Sequence, residues 1–132
     1  MQIKTVGIIG QGLMGSGIAQ VMAQSGYKIV VFDSYAPCLA GAYAKLEKSF
    51  EKAIAKGRMD KAAADAALAN VTVAEKLEDM AKCDMVIEVI VENIELKEAL
   101  FKQLDAICGP DTIFASNTSS TCITEMAFKT SR

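Results

Sequence analysis

The chain has 132 residues, 52% of them hydrophobic and 23% charged, and a formal net charge of -2 from 14 Lys+Arg against 16 Asp+Glu. That is room for one compact domain with a sizeable core, residues 1–132, and it excludes a second complete domain, intrinsic disorder and any global basic field able to hold a nucleic acid or an anionic membrane. Histidine is absent, which removes the commonest general base, the Ser/His and Cys/His nucleophile pairs and the usual zinc ligand, so no metal site is expected.

In chain order, residues 3–9 form a short β-branched apolar run that stops at Gly10, as a buried parallel strand does. Residues 14–25 carry Met14, Ile18, Val21 and Met22 at helical spacing, with Gly26 where a C-terminal cap belongs. Residues 27–32 (YKIVVF) are a second buried strand ending at Asp33-Ser34. Strand, helix, strand in this span is a βαβ unit closing right-handed over a parallel sheet. Residues 37–56 then place Leu39, Ala42, Tyr43, Leu46, Phe50, Ala53 and Ile54 on one helical stripe. Gly57-Arg58 breaks that helix, and Asp60 caps a second one running to about Leu68, which makes a helical hairpin. A brief strand at 71–73, a helical turn at 77–81 and an apolar strand at 85–91 interrupted by Glu88 follow. An amphipathic helix at 94–107, a turn at Gly109-Pro110, a fifth strand at 112–115 and a helical stretch from Ile123 onward complete the pattern.

The four cysteines, Cys38, Cys83, Cys108 and Cys122, form no CxxC pair and no tight framework, so they read as free thiols of a reducing compartment. No apolar run approaches a membrane span, and the strand pattern starts at once after Met1, so a cytoplasmic location without a targeting segment is expected.

The chemistry starts at GQGLMGSG, residues 10–17. A GxGxxG carried between a strand and a helix is a dinucleotide-phosphate loop. Gly10 turns the chain, Gly12 lets backbone approach a pyrophosphate, and Gly15 lets helix and sheet pack closely, while Leu13 and Met14 open the helix whose N–H groups face the anion. Gly17 is assigned to helix packing. Asp33, at the end of the second strand, is placed to accept the adenosine ribose hydroxyls; its charge favours NAD over NADP, and a turn-forming role is compatible with this. The expected class is therefore α/β, a Rossmann-type doubly wound, mainly parallel sheet with the helical hairpin inserted after the second strand.

Three features allow two readings each. Glu92, just before the helix at Ile94, is either a helix-dipole acid or part of a site, and Lys97 is by default half of a solvated pair. Glu88 within an apolar strand must find a partner or the sheet's carboxyl edge. SNTSST, residues 116–121, is either a substrate-contacting loop at that edge or a polar loop in which Ser120 or Thr121 caps the last helix.

Taken together, GQGLMGSGIAQ, Asp33, VIEVIVENIELKEALF (86–101) and FASNTSS (114–120) resemble the NAD-binding domain of the 3-hydroxyacyl-CoA dehydrogenase family, which includes bacterial 3-hydroxybutyryl-CoA dehydrogenases, nearly from end to end. The resemblance implies NAD as cofactor and interconversion of 3-hydroxyacyl-CoA and 3-oxoacyl-CoA by hydride transfer, in fatty acid or butanoate metabolism. It implies Ser119 near the substrate 3-oxygen and the nicotinamide, with Asn117 beside it; Glu92 and Lys97 at the nicotinamide ribose; and Ser49 and Lys56 of the hairpin at the CoA moiety. Lys52 stays on a solvated face. Family members continue into a sixth strand with an HFFNP motif, whose His is the general base supported by a Glu, and into an all-helical domain that supplies an Asn and homodimer contacts. None of that lies within these residues, so the chain reads as part of a longer protein and is expected to be inactive alone. The other readings are another NAD-dependent β-hydroxyacid dehydrogenase, sharing the glycine loop without the hairpin and NTSS, and a non-catalytic NAD-binding or structural protein of the λ-crystallin kind. Assaying acetoacetyl-CoA reduction tests the first, and finding HFFNP in the longer sequence tests the second.

Overall fold

Alternation along the strands decides the layering. A computed structural model describes all of residues 1–132 and shows five strands, β1 (Thr5–Ile9), β2 (Lys28–Phe32), β3 (Val71–Val73), β4 (Met85–Glu88) and β5 (Ile113–Ser116). They form one sheet in the order β3-β2-β1-β4-β5, and every pairing is parallel. Val6, Ile8, Ile29 and Val31 point to one face, where they pack with Ala19, Ala23, Leu46 and Phe50. Ile9, Val30 and Val86 point to the other, against Met80, Phe101 and Leu104. Both faces are covered, which is why the central strands read as unbroken apolar runs rather than alternating ones.

The first face carries α1 (Leu13–Gln24), α2 (Ala36–Ala55) and α3 (Lys61–Ala69). The second carries a 3-10 turn at Leu77–Lys82, α4 (Ile94–Ile107) and α5 (Ile123–Ala127). The helical hairpin is α2 with α3, and the Asp60 carboxylate caps α3 as expected, accepting the Ala63 N–H at 2.7 Å.

Four sequence expectations are corrected. The buried stripe of α1 is Gly15, Ser16, Ala19 and Ala23, whereas Met14 and Val21 are exposed; small residues face the sheet because this helix sits close against it. Gly17 is solvent-exposed with open space around it, so it does not serve packing. β4 stops at Glu88 rather than Val91: the Val89 N–H makes the last sheet bond, to the Ile9 carbonyl at 2.8 Å, and the next amide, Ile90, is taken by the Glu88 side chain at 2.9 Å. The last helix, α5, is only five residues long.

The order of strands reverses between β1 and β4, whose chains leave the sheet to opposite sides. Their carboxyl ends therefore open a crevice, the place where open α/β sheets hold ligands.

Candidate functional site

The glycine loop forms the floor of this crevice. Gly10 turns the chain with φ 103, a left-handed value suited to glycine, and a Cβ there would strike the Val89 carbonyl. A Cβ on Gly15 would run into the Gly10 carbonyl, so the first turn of α1 lies directly on the loop. Gly12 is the N-cap residue of α1 and offers no side-chain cap, and a Cβ built on it meets nothing within 4 Å. The amides of Leu13, Met14 and Gly15 thus head a helix with open space before them, as a bound pyrophosphate requires. Leu13 and Met14 are 85% and 56% exposed, so their backbone and not their side chains forms the fixed part of the site. The only buried side-chain polar atom without a hydrogen-bond partner in the molecule, Gln11 Oε1, belongs to the same loop. The Lys45 ammonium of α2 donates to the Gln11 carbonyl at 3.2 Å and ties the hairpin to the loop.

Asp33 takes the turn-forming role foreseen for it and also reaches the glycine loop. Oδ2 accepts the Gln11 N–H and Oδ1 the Tyr35 N–H, each at 2.8 Å, so the carboxylate braces the glycine loop and shapes its own turn. Each oxygen keeps lone-pair capacity for a ribose hydroxyl. Asp33 also lines a 590 Å³ cleft together with Gly10 and Gly12, whose apolar walls include Phe32, Val89 and Leu100. Open space over Gly12, free helix-end amides and a carboxylate lining the same largely apolar cleft fit an adenosine diphosphate half of NAD.

Across the crevice, the ends of β4 and β5 carry a polar network. Glu88 and Ser116 are register partners, and the Ser116 hydroxyl donates to Glu88 Oε2 at 2.5 Å. Glu88 Oε1 accepts from the Lys97 ammonium at 2.5 Å, and both side chains are buried, at 0% and 1% exposure. Lys97 is therefore no solvated pair; it enters from the first turn of α4 and lies 3.7 Å from Glu92, which remains half-exposed. Glu92 lies just before the N-cap of α4, outside its first turn, and is engaged by the loop instead. Asn93 caps α4, and Glu92 Oε1 accepts the hydroxyls of Thr118, Thr121 (2.6 Å) and Ser120 (3.3 Å). These hydroxyls, Thr118 foremost, hold the Glu92 carboxyl below the usual carboxylate range. The idea that Ser120 or Thr121 caps the last helix fails for the same reason: the N-cap residue of α5 is Cys122, and it provides no side-chain cap.

Asn117 and Ser119 are exposed in this loop, and their side chains make no hydrogen bond within the protein. The structure thus brings Glu92, Lys97, Asn117 and Ser119 to one sheet edge, beside the Gly10–Gly15 loop and Asp33. Ser49 lies on α2 and Lys56, seven residues on, is its C-cap residue; Lys56 makes no ion pair. Sequence reasoning left Glu88 without a role, read Ser116 and Thr118 only as members of the 116–121 loop, and overlooked Lys45. The lone charge in the apolar run was the available signal for Glu88; Lys45 carried none, because its contact exists only once α2 folds over the loop.

Comparison with known proteins agrees with this geometry. Residues 5–132 match the family model described as 3-hydroxyacyl-CoA dehydrogenase, NAD binding domain. A 3-hydroxybutyryl-CoA dehydrogenase of Bradyrhizobium diazoefficiens is 42% identical over 98% of this chain and 44% of its own length. The mitochondrial hydroxyacyl-coenzyme A dehydrogenase of Sus scrofa is 38% identical over 98% of this chain and 43% of its own. The crystal structure of (S)-3-hydroxybutyryl-CoA dehydrogenase from Ralstonia eutropha superposes with a TM-score of 0.94 at 40% identity, covering 99% of this chain and 46% of that one. The chain thus spans less than half the length of the relatives it matches. With the glycine loop, the carboxylate that follows the second strand and the family match over nearly every residue in agreement, the chain belongs to the NAD-binding domain family of the 3-hydroxyacyl-CoA dehydrogenases.

Proposed function

We propose that this chain is the cofactor-holding part of an enzyme that interconverts 3-hydroxyacyl-CoA and 3-oxoacyl-CoA. The observation that carries the reading is the convergence, on one sheet edge, of the dinucleotide cradle and an exposed loop presenting the unengaged side chains of Asn117 and Ser119. Bound NAD supplies the hydride acceptor. Asp33 grips the adenosine ribose, the α1 amides hold the pyrophosphate, and Glu92 with Lys97 shapes the space for the second ribose. The Ser119 hydroxyl, with Asn117 beside it, donates a hydrogen bond to the substrate 3-oxygen. A serine hydroxyl is too weak an acid to serve as the base itself, and the 132 residues contain no histidine. The general base belongs to the longer protein, and removing such a base typically costs on the order of 10²–10⁴ in rate.

Ser49 and Lys56 are proposed contacts of the CoA moiety, Lys56 as an exposed cation at the end of α2 for its phosphates. The longer protein is proposed to be a homodimer joined through a helical domain and to act in fatty acid or butanoate metabolism in the cytoplasm. Four unpaired cysteines support a reducing compartment, and no helix is long and apolar enough to cross a membrane. The test is direct. The 132-residue chain is expected to bind NAD in a calorimetric titration without oxidising NADH in the presence of acetoacetyl-CoA, while the longer protein turns over and slows on Ser119→Ala. Turnover by the 132-residue chain at the rate of the longer protein would overturn this division of labour.

A further inference from the structure

We propose that Glu88 is the positioning residue of the second half of the cofactor site, setting the place of Glu92 and of the loop 117–121 without touching any ligand. The proposal rests on the reading that NAD spans the crevice, with its adenosine diphosphate half at Asp33 and Gly12 and its second nucleoside at the ends of β4 and β5.

Both carboxylate oxygens of Glu88 are already engaged by the protein. Oε1 takes the Lys97 ammonium at 2.5 Å and the Ile90 N–H at 2.9 Å, Oε2 takes the Ser116 hydroxyl at 2.5 Å, and its backbone carbonyl takes the Asn117 N–H at 2.9 Å. At 0% exposure it is closed to solvent and to substrate. Its influence therefore passes through its neighbours, along two routes. In the first, Lys97 is fixed between Glu88 and Glu92, and Glu92 gathers the hydroxyls of Thr118, Ser120 and Thr121. In the second, Ser116 accepts the Thr118 N–H on its Oγ at 3.2 Å while its own proton is held by Glu88, and Asn117 hangs from the Glu88 carbonyl. Both routes end on the five residues that carry Asn117 and Ser119.

A buried ion pair is a poor source of stability, because desolvating both charges offsets their attraction. What this one supplies is geometry. The strand fixes Glu88, α4 fixes Lys97, and the exposed loop is registered against both. A hydrophobic pair of equal volume would leave Glu92 and the loop without that reference.

The experiment compares two ligands on the same chain: NADH, which reaches both halves of the crevice, and ADP, which has no second nucleoside. Glu88→Gln is expected to weaken NADH binding about tenfold while leaving the ADP dissociation constant unchanged. Ser116→Ala, a small change at a partly exposed residue, is expected to give the same split at about threefold, and it decides the matter if the unpaired Lys97 prevents Glu88→Gln from folding. Unchanged NADH affinity in the folded variants, or equal loss of NADH and ADP affinity, would overturn the proposal. No NADH binding by the unmodified chain would overturn the cofactor reading, and this proposal with it.

Discussion

Replacing Gly12 by valine places an isopropyl group in the space before the first turn of α1, where a Cβ meets no protein atom within 4 Å. The backbone there has φ -70 and ψ -161, extended values that valine adopts without strain. The fold therefore loses only the N-cap preference, about 1 kcal/mol, which lowers Tm by roughly 3–6 °C for a chain of this size. Cofactor binding loses much more. The new side chain occupies the path by which a pyrophosphate reaches the Leu13, Met14 and Gly15 amides, and hydrogen bonds to a charged group are worth about 1.5–3 kcal/mol each. Losing two of them costs about 3–6 kcal/mol, so the NAD dissociation constant rises at least about 100-fold. Gly15→Val is the contrast, because its Cβ runs into the Gly10 carbonyl and the protein itself fails to fold. Calorimetric titration with NAD and thermal unfolding followed by circular dichroism, on the same two variants, separate the effects. Gly12→Val binding NAD within about threefold of the unmodified chain would refute the phosphate-loop assignment.

Asp33→Ala is expected to narrow the preference for NAD over NADP, because it removes both the ribose acceptor and the charge that repels a 2′-phosphate; equal affinities for the two in the unmodified chain would contradict this. Burial pushes the Cys83 thiol up to about 12 and raises Cys108 as well. A thiol reagent near pH 8 should therefore label Cys38 and Cys122 quickly, and the other two only on unfolding. Since Cys38 lines the cleft, saturating NAD should slow its labelling in a Cys122→Ser background; an unchanged rate would place the cofactor elsewhere. The Glu92 carboxyl is held below its usual range by the loop hydroxyls. Its contribution to loop order is fully present above the usual carboxylate range and is lost as pH falls through the lowered value. NMR titration of the Glu92 carboxyl should show a midpoint below the usual value of about 4.3, and a midpoint at or above it would remove the hydroxyl cage.

The sequence by itself determined the parts that rest on local backbone chemistry. Gly10, Gly12 and Gly15 between an apolar strand and a helix, Gly26 at a cap with φ 88, and Asp60 heading α3 act within a few residues of themselves, as does Asp33 Oδ1 on the Tyr35 N–H, whereas Asp33 Oδ2 takes the Gln11 N–H from 22 residues away. Periodicity located the central strands and the longer helices, since a strand covered on both faces and a helix with one apolar stripe leave distinct patterns. Tertiary structure decided where charge and polarity ended up. Lys97 follows Glu92 at helical range and looks solvated, yet it is buried because register sets Glu88 beside Ser116 at the sheet edge and α4 lowers its first turn onto them. The buried face of α1 is its small residues and not its methionines, because close approach to the sheet outweighs the area those methionines would bury. Ser120 and Thr121 belong to Glu92, 28 and 29 residues away along the chain. Pairings of that kind depend on which strand ends meet, and the sequence between them carries no periodic trace of the meeting.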